Sequence, residues 1–258
     1  MKLEFNTGSV FSDIKILFHQ GKQYIPDVTT VEVPGIFRGR PVIQEPGMSV
    51  SSQIAGVCPV NAIMQNPLRI DLGKCVFCGE CARRFPENIT FTKDYKIASA
   101  TREGLVVDAG QNQPMSIDPA AVRKEIRRYF KNSLKLRQVS AAGDNSCEWE
   151  LNAAGNVNFD MGRFGIEFVA SPRHANGIVI TGPISKNMAE PLQICYDAVP
   201  DPKIIILAGT DAISGGIFEG SEALDRSFLE KYKVDLYVPG NPVHPLTFIN
   251  GVLGLIRG

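Results

Sequence analysis

Cys75-Val-Phe-Cys78-Gly-Glu-Cys81-Ala-Arg-Arg-Phe85-Pro86 carries three cysteines at intervals of three residues, and Cys58-Pro59 stands a short distance upstream. Soft donors in so compact a pattern point to a metal or cluster site, because thiolates select zinc and iron–sulfur clusters. Two rivals stand beside the cluster reading. Tetrahedral zinc suits two close Cys-x2-Cys pairs, and buried inert thiols need no ligand but leave the spacing without a cause.

Overlapping pairs in C-x2-C-x2-C with a Cys-Pro partner favour iron and sulfur over zinc. Bacterial ferredoxins with two clusters take three ligands for each from one such run and the fourth from the Cys-Pro of the other. Here the second run keeps its cysteines and has Phe85 where its own Cys-Pro sulfur would stand. The first run keeps only Cys58, with Met48, Ser51 and Ile54 at the other expected positions. These losses are complementary. Cross-ligation makes Cys58, Cys75, Cys78 and Cys81 one complete set for a single [4Fe–4S] cluster, and the emptied positions are the complete set for its partner. Met48, Ile54 and Phe85 are apolar, as side chains that refill the vacated volume must be; a void there would cost on the order of several kcal/mol.

With 258 residues, 44% hydrophobic and 21% charged, the chain can bury a sizeable core as one large or two ordinary domains. Its 27 basic and 27 acidic side chains cancel, which removes the electrostatic case for nucleic acid as a partner. Six cysteines, four of them in the set above, argue for metal chemistry in a reducing compartment over a disulfide framework. No apolar run approaches a membrane span, and the N-terminus has no signal-peptide pattern. A cytoplasmic protein is expected, one that can sit on a membrane complex.

Outward from the cysteines the chain divides into four parts. Residues 1–47 read as an N-terminal amphipathic segment and extended arm, 48–97 as a small α+β ferredoxin-like domain, 98–133 as a linker and basic helix, and 134–258 as an α/β domain. Phe11, Ile14, Ile16, Leu17 and Phe18 suggest a short helix ending at Gly21. Packing against its own domain is the favoured reading, with a partner or the bilayer surface as the other. Pro26, Pro34, Pro41 and Pro46 make residues 25–47 an extended, wrapping arm. Residues 62–64 and 68–71 fit one hairpin, and residues 89–91 and 96–97 its second copy. Asp118-Pro119 gives an N-cap and a first-turn proline for a helix with Val122, Ile126, Phe130 and Leu134 on one face. Arg123, Lys124, Arg127, Arg128, Lys131 and Lys135 cover the other, as a solvated face or one for an acidic partner or anionic lipid.

Beyond residue 134 strands and helices alternate. Strands are predicted at 134–139, 166–170, 177–181, 203–208 and 235–238, and helices from 147, at 185–199, at 224–232 and at 244–255. Apolar runs such as Gly177-Ile-Val-Ile-Thr181 need cover on both sides, which gives a parallel sheet with helices on both faces. In such sheets, sites form on the loops beyond the C-terminal strand ends.

Several of those loops are distinctive: Asp160-Met-Gly-Arg163-Phe-Gly165-Ile166, Ala170-Ser-Pro-Arg173-His174-Ala175, Thr181-Gly182-Pro183, Pro200-Asp-Pro-Lys203, Gly215-Gly216-Ile217-Phe218 and Val238-Pro239-Gly240-Asn241-Pro242. In this order they resemble the small, electron-transferring subunit of membrane-bound group 4 NiFe hydrogenases, such as formate hydrogenlyase, and the homologous 20 kDa-type subunit of respiratory complex I. The resemblance covers about residues 134–258. The N-terminal part, with Phe37-Arg38-Gly39-Arg40-Pro41 and Gly73-Lys74-Cys75, resembles the ferredoxin-type subunit of the same complexes. Two neighbouring subunits thus read as fused in one chain.

The resemblance implies a proximal [4Fe–4S] site on four cysteines. Laid on this sequence, its positions fall on Asp144, Cys147, Asp211 and Asn241, and only Cys147 keeps its sulfur. Oxygen and amide donors suit harder metals than an iron–sulfur cube needs, so that cluster is expected to be lost, leaving a polar pocket. His174 and His244 read as structural, Cys195 as core, and the glycines from Gly209 to Gly216 lack a nucleotide-binding pattern. The expected function is that of an iron–sulfur, non-catalytic subunit of an oxidoreductase complex. One [4Fe–4S] cluster on Cys58, Cys75, Cys78 and Cys81 would serve electron transfer; the other reading is a scaffold whose cluster is structural. The partners implied are a hydrogenase or complex I-type large subunit and membrane subunits, at the cytoplasmic face of the inner membrane.

Overall fold

The computed structural model describes residues 10–21 and 23–258, and the side chains from residue 12 onward apart from residue 22. Phe11 of the amphipathic segment therefore lies outside the described side chains, as do residues 1–9. Helix α1 (Val10–Gln20) leaves Ile14, Ile16, Leu17 and Phe18 exposed, Phe18 by 81%. The packing against its own domain that the sequence favoured is not made. The arm that follows does wrap the body. Val28 and Val33 are buried, the Val28 carbonyl accepts from the Tyr95 hydroxyl and the Asn250 amide at 2.9 Å each, and the Ile25 amide donates to the Asn158 carbonyl at 2.8 Å.

Next come β1 (Pro41–Ile43), α2 (Met48–Gly56), β2 (Ile63–Met64), β3 (Arg69–Asp71), α3 (Glu80–Arg84), β4 (Ile89–Phe91) and β5 (Val106–Asp108), whose strands form two small antiparallel sheets. β2 and β3 make the expected hairpin, with Ile63 opposite Ile70. The expected second copy does not form. β4 pairs instead with β1 of the arm, Ile89 opposite Ile43, and β5 takes the free edge of β3. The pairing with the arm runs on past β4, Thr92 donating to the Arg40 carbonyl at 2.9 Å and Arg40 to that of Asp94 at 3.0 Å, and the chain then leaves for a bridge between Ser99 and Tyr237. Of the positions emptied of sulfur, Ser51 and Ile54 are buried and Phe85 packs against the same core. Met48, the first residue of α2, is 76% exposed and does not refill the vacated volume.

Asp118 caps as read, its carboxylate accepting from the Ala120 amide at 2.9 Å, but it opens only a single 3-10 turn, Pro119–Ala121. Helix α4 (Lys124–Phe130) follows, with Ile126 and Phe130 buried beside Val122, while Leu134 already belongs to the next strand. Arg123 turns inward instead of joining a basic face. Its guanidinium forks onto the Asp235 carboxylate at 2.8 and 3.0 Å and reaches the Lys203 carbonyl at 2.6 Å.

The remainder alternates as predicted: β6 (Leu134–Ser140), α5 (Ser146–Ala154), β7 (Ile166–Phe168), β8 (Gly177–Thr181), α6 (Lys186–Asp197), β9 (Ile204–Ala208), α7 (Thr210–Ser214), α8 (Ser227–Lys231), β10 (Leu236–Val238) and α9 (Pro245–Arg257). The five strands form one sheet in the order β10-β9-β8-β6-β7, and every neighbour is parallel. Side chains alternate between its faces. Val179, Ile204 and Ile206 join one buried cluster with residues of α4, α5 and α9; Ile178, Ile180, Ile205 and Leu207 join another with α6 and α8. That second cluster also holds Ile54, Leu68 and Leu72, so the N-terminal sheets share buried contacts with the far face of the parallel sheet. From β6 the chain steps to β7 on one side and returns to β8 on the other. This reversal gathers the loops after β6, β8, β9 and β10 at one edge, where α/β sheets place their sites.

Candidate functional site

Cys58 follows α2, Cys75 and Cys78 lie in the loop between β3 and α3, and Cys81 sits on α3; all four line one cavity. Its other walls include Val57, Ile63, Ile70 and Phe91. Phe77 (φ 51°) and Gly79 (φ 74°) take left-handed backbone in the cysteine loop. For a residue such as Phe77 that conformation costs roughly 1–2 kcal/mol. Strain of this kind persists where a site over-determines the backbone. In the same loop the Phe77 amide donates to Cys75 Sγ (3.3 Å), and the Ala62 amide donates to Cys58 Sγ (3.2 Å).

Amide donors on sulfur favour the thiolate, the form that ligates metal. Burial opposes it, pushing the Cys75 thiol up to about 12 and that of Cys81 up to about 11. A bound cation would offset that cost, since it binds the deprotonated sulfur. Among the described residues no group of three or more His, Cys, Asp or Glu is arranged to hold a metal ion. The four cysteines share the lining of that one cavity.

The loop is held from two sides. Below it, Asp71 accepts from the Gly73 amide at 2.8 Å and receives the Arg102 guanidinium at 2.8 and 2.6 Å. Burial pulls the Arg102 guanidinium down, but its bonds to Asp71 outweigh this and leave it raised. Above it, the Thr210 hydroxyl donates to the Cys75 carbonyl at 2.9 Å, and Lys74 pairs with Glu219 at 2.6 Å.

At the C-terminal edge of the parallel sheet, Asp144 follows β6, Cys147 begins α5, Asp211 lies in α7 after β9, and Asn241 follows β10. Gly209, at φ 94°, lies directly under Cys147, and a Cβ there would run into Cys147 Sγ. The Cys147 thiol is raised to about 12 by burial and by the charges of Glu148, Asp211 and Asp144. Asp144 is spoken for by Ser146, whose hydroxyl and amide donate to it at 2.6 and 2.9 Å and hold its carboxyl below the usual range. Asp211 is raised, by burial first and then by Asp144 and Glu148, and its Oδ1 is buried without a hydrogen-bond partner. One thiol with oxygen and amide donors does not fit an iron–sulfur cube.

Two residues here were not foreseen. Glu148 is buried and accepts from the Ser140 and Thr181 hydroxyls at 2.6 Å each. In sequence it looks like an ordinary acidic residue in a first helical turn. Thr210 sits between two singled-out glycine-loop residues and carries no sequence signal of its own. His244 caps α9 through Nδ1, which accepts from the Leu246 amide at 3.2 Å; burial lowers its pKa, and with Asn241 it lines an apolar cavity bounded by Phe37, Val76 and Phe77. His174 is exposed, and Cys195 is only half-buried on α6.

A family model described as "NADH ubiquinone oxidoreductase, 20 Kd subunit" matches residues 145–255. "Probable membrane-bound hydrogenase subunit mbhJ" of Pyrococcus furiosus is 35% identical over 129 residues, which are 50% of this chain and 77% of that protein. The chain belongs to this family. "Formate hydrogenlyase subunit 7" of Escherichia coli K12 is 35% identical over 149 residues, 56% of this chain and 58% of that protein. An NADH-quinone oxidoreductase subunit of Desulfovibrio desulfuricans is 40% identical over 109 residues, 42% of this chain and 59% of that protein. The chain thus spans less than two thirds of the length of these last two relatives. The resemblance read from the loops after residue 134 holds. The family match begins at Asn145, so it takes in Cys147, Asp211 and Asn241, whereas Asp144 and Cys58, Cys75, Cys78 and Cys81 precede it.

Proposed function

We propose that this chain is an iron–sulfur subunit of a membrane-bound complex of the hydrogenase and complex I kind, with one [4Fe–4S] cluster on Cys58, Cys75, Cys78 and Cys81. The observation that carries the reading is that these four thiols, from three separate elements, line a single cavity with backbone amides aimed at two of the sulfurs. Overlapping Cys-x2-Cys pairs with a Cys-Pro partner support a cluster over tetrahedral zinc. When bound, such a cluster supplies one-electron exchange. The chain's own residues then hold the thiolates by N–H···S bonds and shield them with apolar walls. Membership of the family and the names of the relatives support the complex, in which a large subunit and membrane subunits are the partners. Among the described residues no helix is long and apolar enough to cross a membrane, in keeping with a peripheral place on it.

The ferredoxin-like part and the family domain are read as two fused subunits, divided near residues 97 and 134. The proximal cluster is read as lost, since Asp144, Asp211 and Asn241 stand where sulfur is implied. A second reading draws support from that same loss: with the onward path gone, the remaining cluster is structural and the subunit a scaffold for ion-translocation coupling. Iron and acid-labile sulfide should come to about four of each per chain. Values near eight refute the single cluster, and values near zero refute the site. A redox titration then separates the readings, because a cluster that stays unreduced across the accessible range is structural. Purification from native membranes without a large subunit or membrane subunits would sink the assignment to a complex.

A further inference from the structure

We propose that Thr210 is a positioning residue for the cluster, the hydroxyl by which the emptied site clamps the loop that carries Cys75. The inference rests on the reading of Cys58, Cys75, Cys78 and Cys81 as ligands. Thr210 opens α7 at the C-terminal end of β9, next to Asp211, and is 1% exposed. Its amide donates to the Gly240 carbonyl at 2.8 Å, so that acceptor, in the loop after β10, is already served. Its hydroxyl lies 2.9 Å from the Cys75 carbonyl and 3.2 Å from that of Gly240. A hydroxyl has one proton to give, and the shorter contact with the unserved acceptor directs it to Cys75. Among the described residues no other group donates to the Cys75 carbonyl.

One residue therefore joins three loops: it lies in the loop after β9, its amide holds that after β10 and its hydroxyl the cysteine run. The contact bears on the sulfur itself. The peptide that begins at the Cys75 carbonyl is followed by that of Phe77, whose amide donates to Cys75 Sγ at 3.3 Å. A carbonyl freed from Thr210 lets that peptide rotate and the N–H···S bond open. The loops that have lost their own ligands hold in place a loop that keeps them.

Thr210→Val is isosteric and lacks the hydroxyl; Thr210→Ser keeps it. Each whole protein is compared with wild type in its rate of iron loss to a chelator and in the electron paramagnetic resonance spectrum of the reduced state. T210V should lose iron about fivefold faster, the equivalent of about 1 kcal/mol for one net hydrogen bond, and its spectrum should shift. T210S should match wild type in both. If T210V folds too poorly to load, T210S decides. A wild-type rate and spectrum support the hydroxyl clamp, and faster loss overturns it in favour of packing by the missing methyl. A loaded T210V indistinguishable from wild type overturns the clamp and spares the cluster assignment, whereas wild type devoid of iron and sulfide overturns both.

Discussion

Arg102→Met tests whether the floor under the cysteine loop is a structural ion pair. Arg102 Nη1 and Nη2 meet Asp71 Oδ1 and Oδ2 at 2.8 and 2.6 Å, with side chains 30% and 10% exposed. Asp71 also takes the Gly73 amide at 2.8 Å, and its carbonyl accepts from the Cys75 amide at 2.9 Å. Breaking a fully buried pair costs about 3–5 kcal/mol, whereas an exposed one is worth about 0–1 kcal/mol. This pair lies between: the guanidinium is partly wet and Asp71 keeps one amide, which places the loss at about 2–3 kcal/mol. For a chain of roughly this size, about 2–4 °C per kcal/mol gives a midpoint lower by about 4–12 °C. Circular dichroism melts of the loaded protein read the shift, and iron per chain after desalting reads the loosened loop. Asp71→Asn combined with Arg102→Met should recover at least half of the loss, since the amide still accepts from Gly73 and no charge is stranded. An R102M midpoint within about 0.5 kcal/mol of wild type, or a double variant no better than the single, refutes the brace.

Cys78→Ser should abolish the cluster's absorption and its resonance signal, whereas Cys147→Ser should leave both unchanged; a spectral change in C147S would reveal a second site. Asp211→Asn should stabilise the protein at pH 7. Burial and the neighbouring Asp144 and Glu148 raise the Asp211 carboxyl above its ordinary 3.8, so its charged form is the disfavoured one in the fold. The advantage of D211N should shrink as pH falls toward 4, and a destabilised D211N in urea titrations at pH 7 would contradict it. Cys147, raised from 9.0 to about 12, contributes stability below pH 9 that is lost as pH rises toward 12, because the unfolded chain ionises first. Cys147→Ala should flatten the alkaline fall in stability, and an unchanged slope would show that the thiol titrates normally.

The cysteine spacing and the strand–helix alternation were local signals, and they carried far. Spacing alone grouped Cys58 with Cys75, Cys78 and Cys81, and the structure lines one cavity with all four. Apolar runs such as Ile204–Ala208 pointed to a covered parallel sheet, and the family resemblance singled out Asp144, Asp211 and Asn241, which the fold places at its C-terminal edge. Element ends shifted by a few residues, as at residues 224–232, where the helix is Ser227–Lys231.

Other features depended on partners distant in the chain. β4 pairs with the arm instead of residues 96–97, and the chain just beyond them bridges to Tyr237, a partner far along the sequence. Met48 pointed outward where its neighbours Ser51 and Ile54 are buried, a choice made by the seat of α2 and not by hydrophobicity. Arg123 belonged to Asp235 and not to a basic face, since a buried carboxylate draws any guanidinium within reach. Glu148 and Thr210 carry no pattern at all; burial and hydrogen-bond partners from other loops give them their roles. The sequence by itself determined the donor set and the layered α/β class, which are properties of residue type and period. Only tertiary structure decided that the edge of the parallel sheet touches the cysteine loop, because that contact joins residues 135 positions apart.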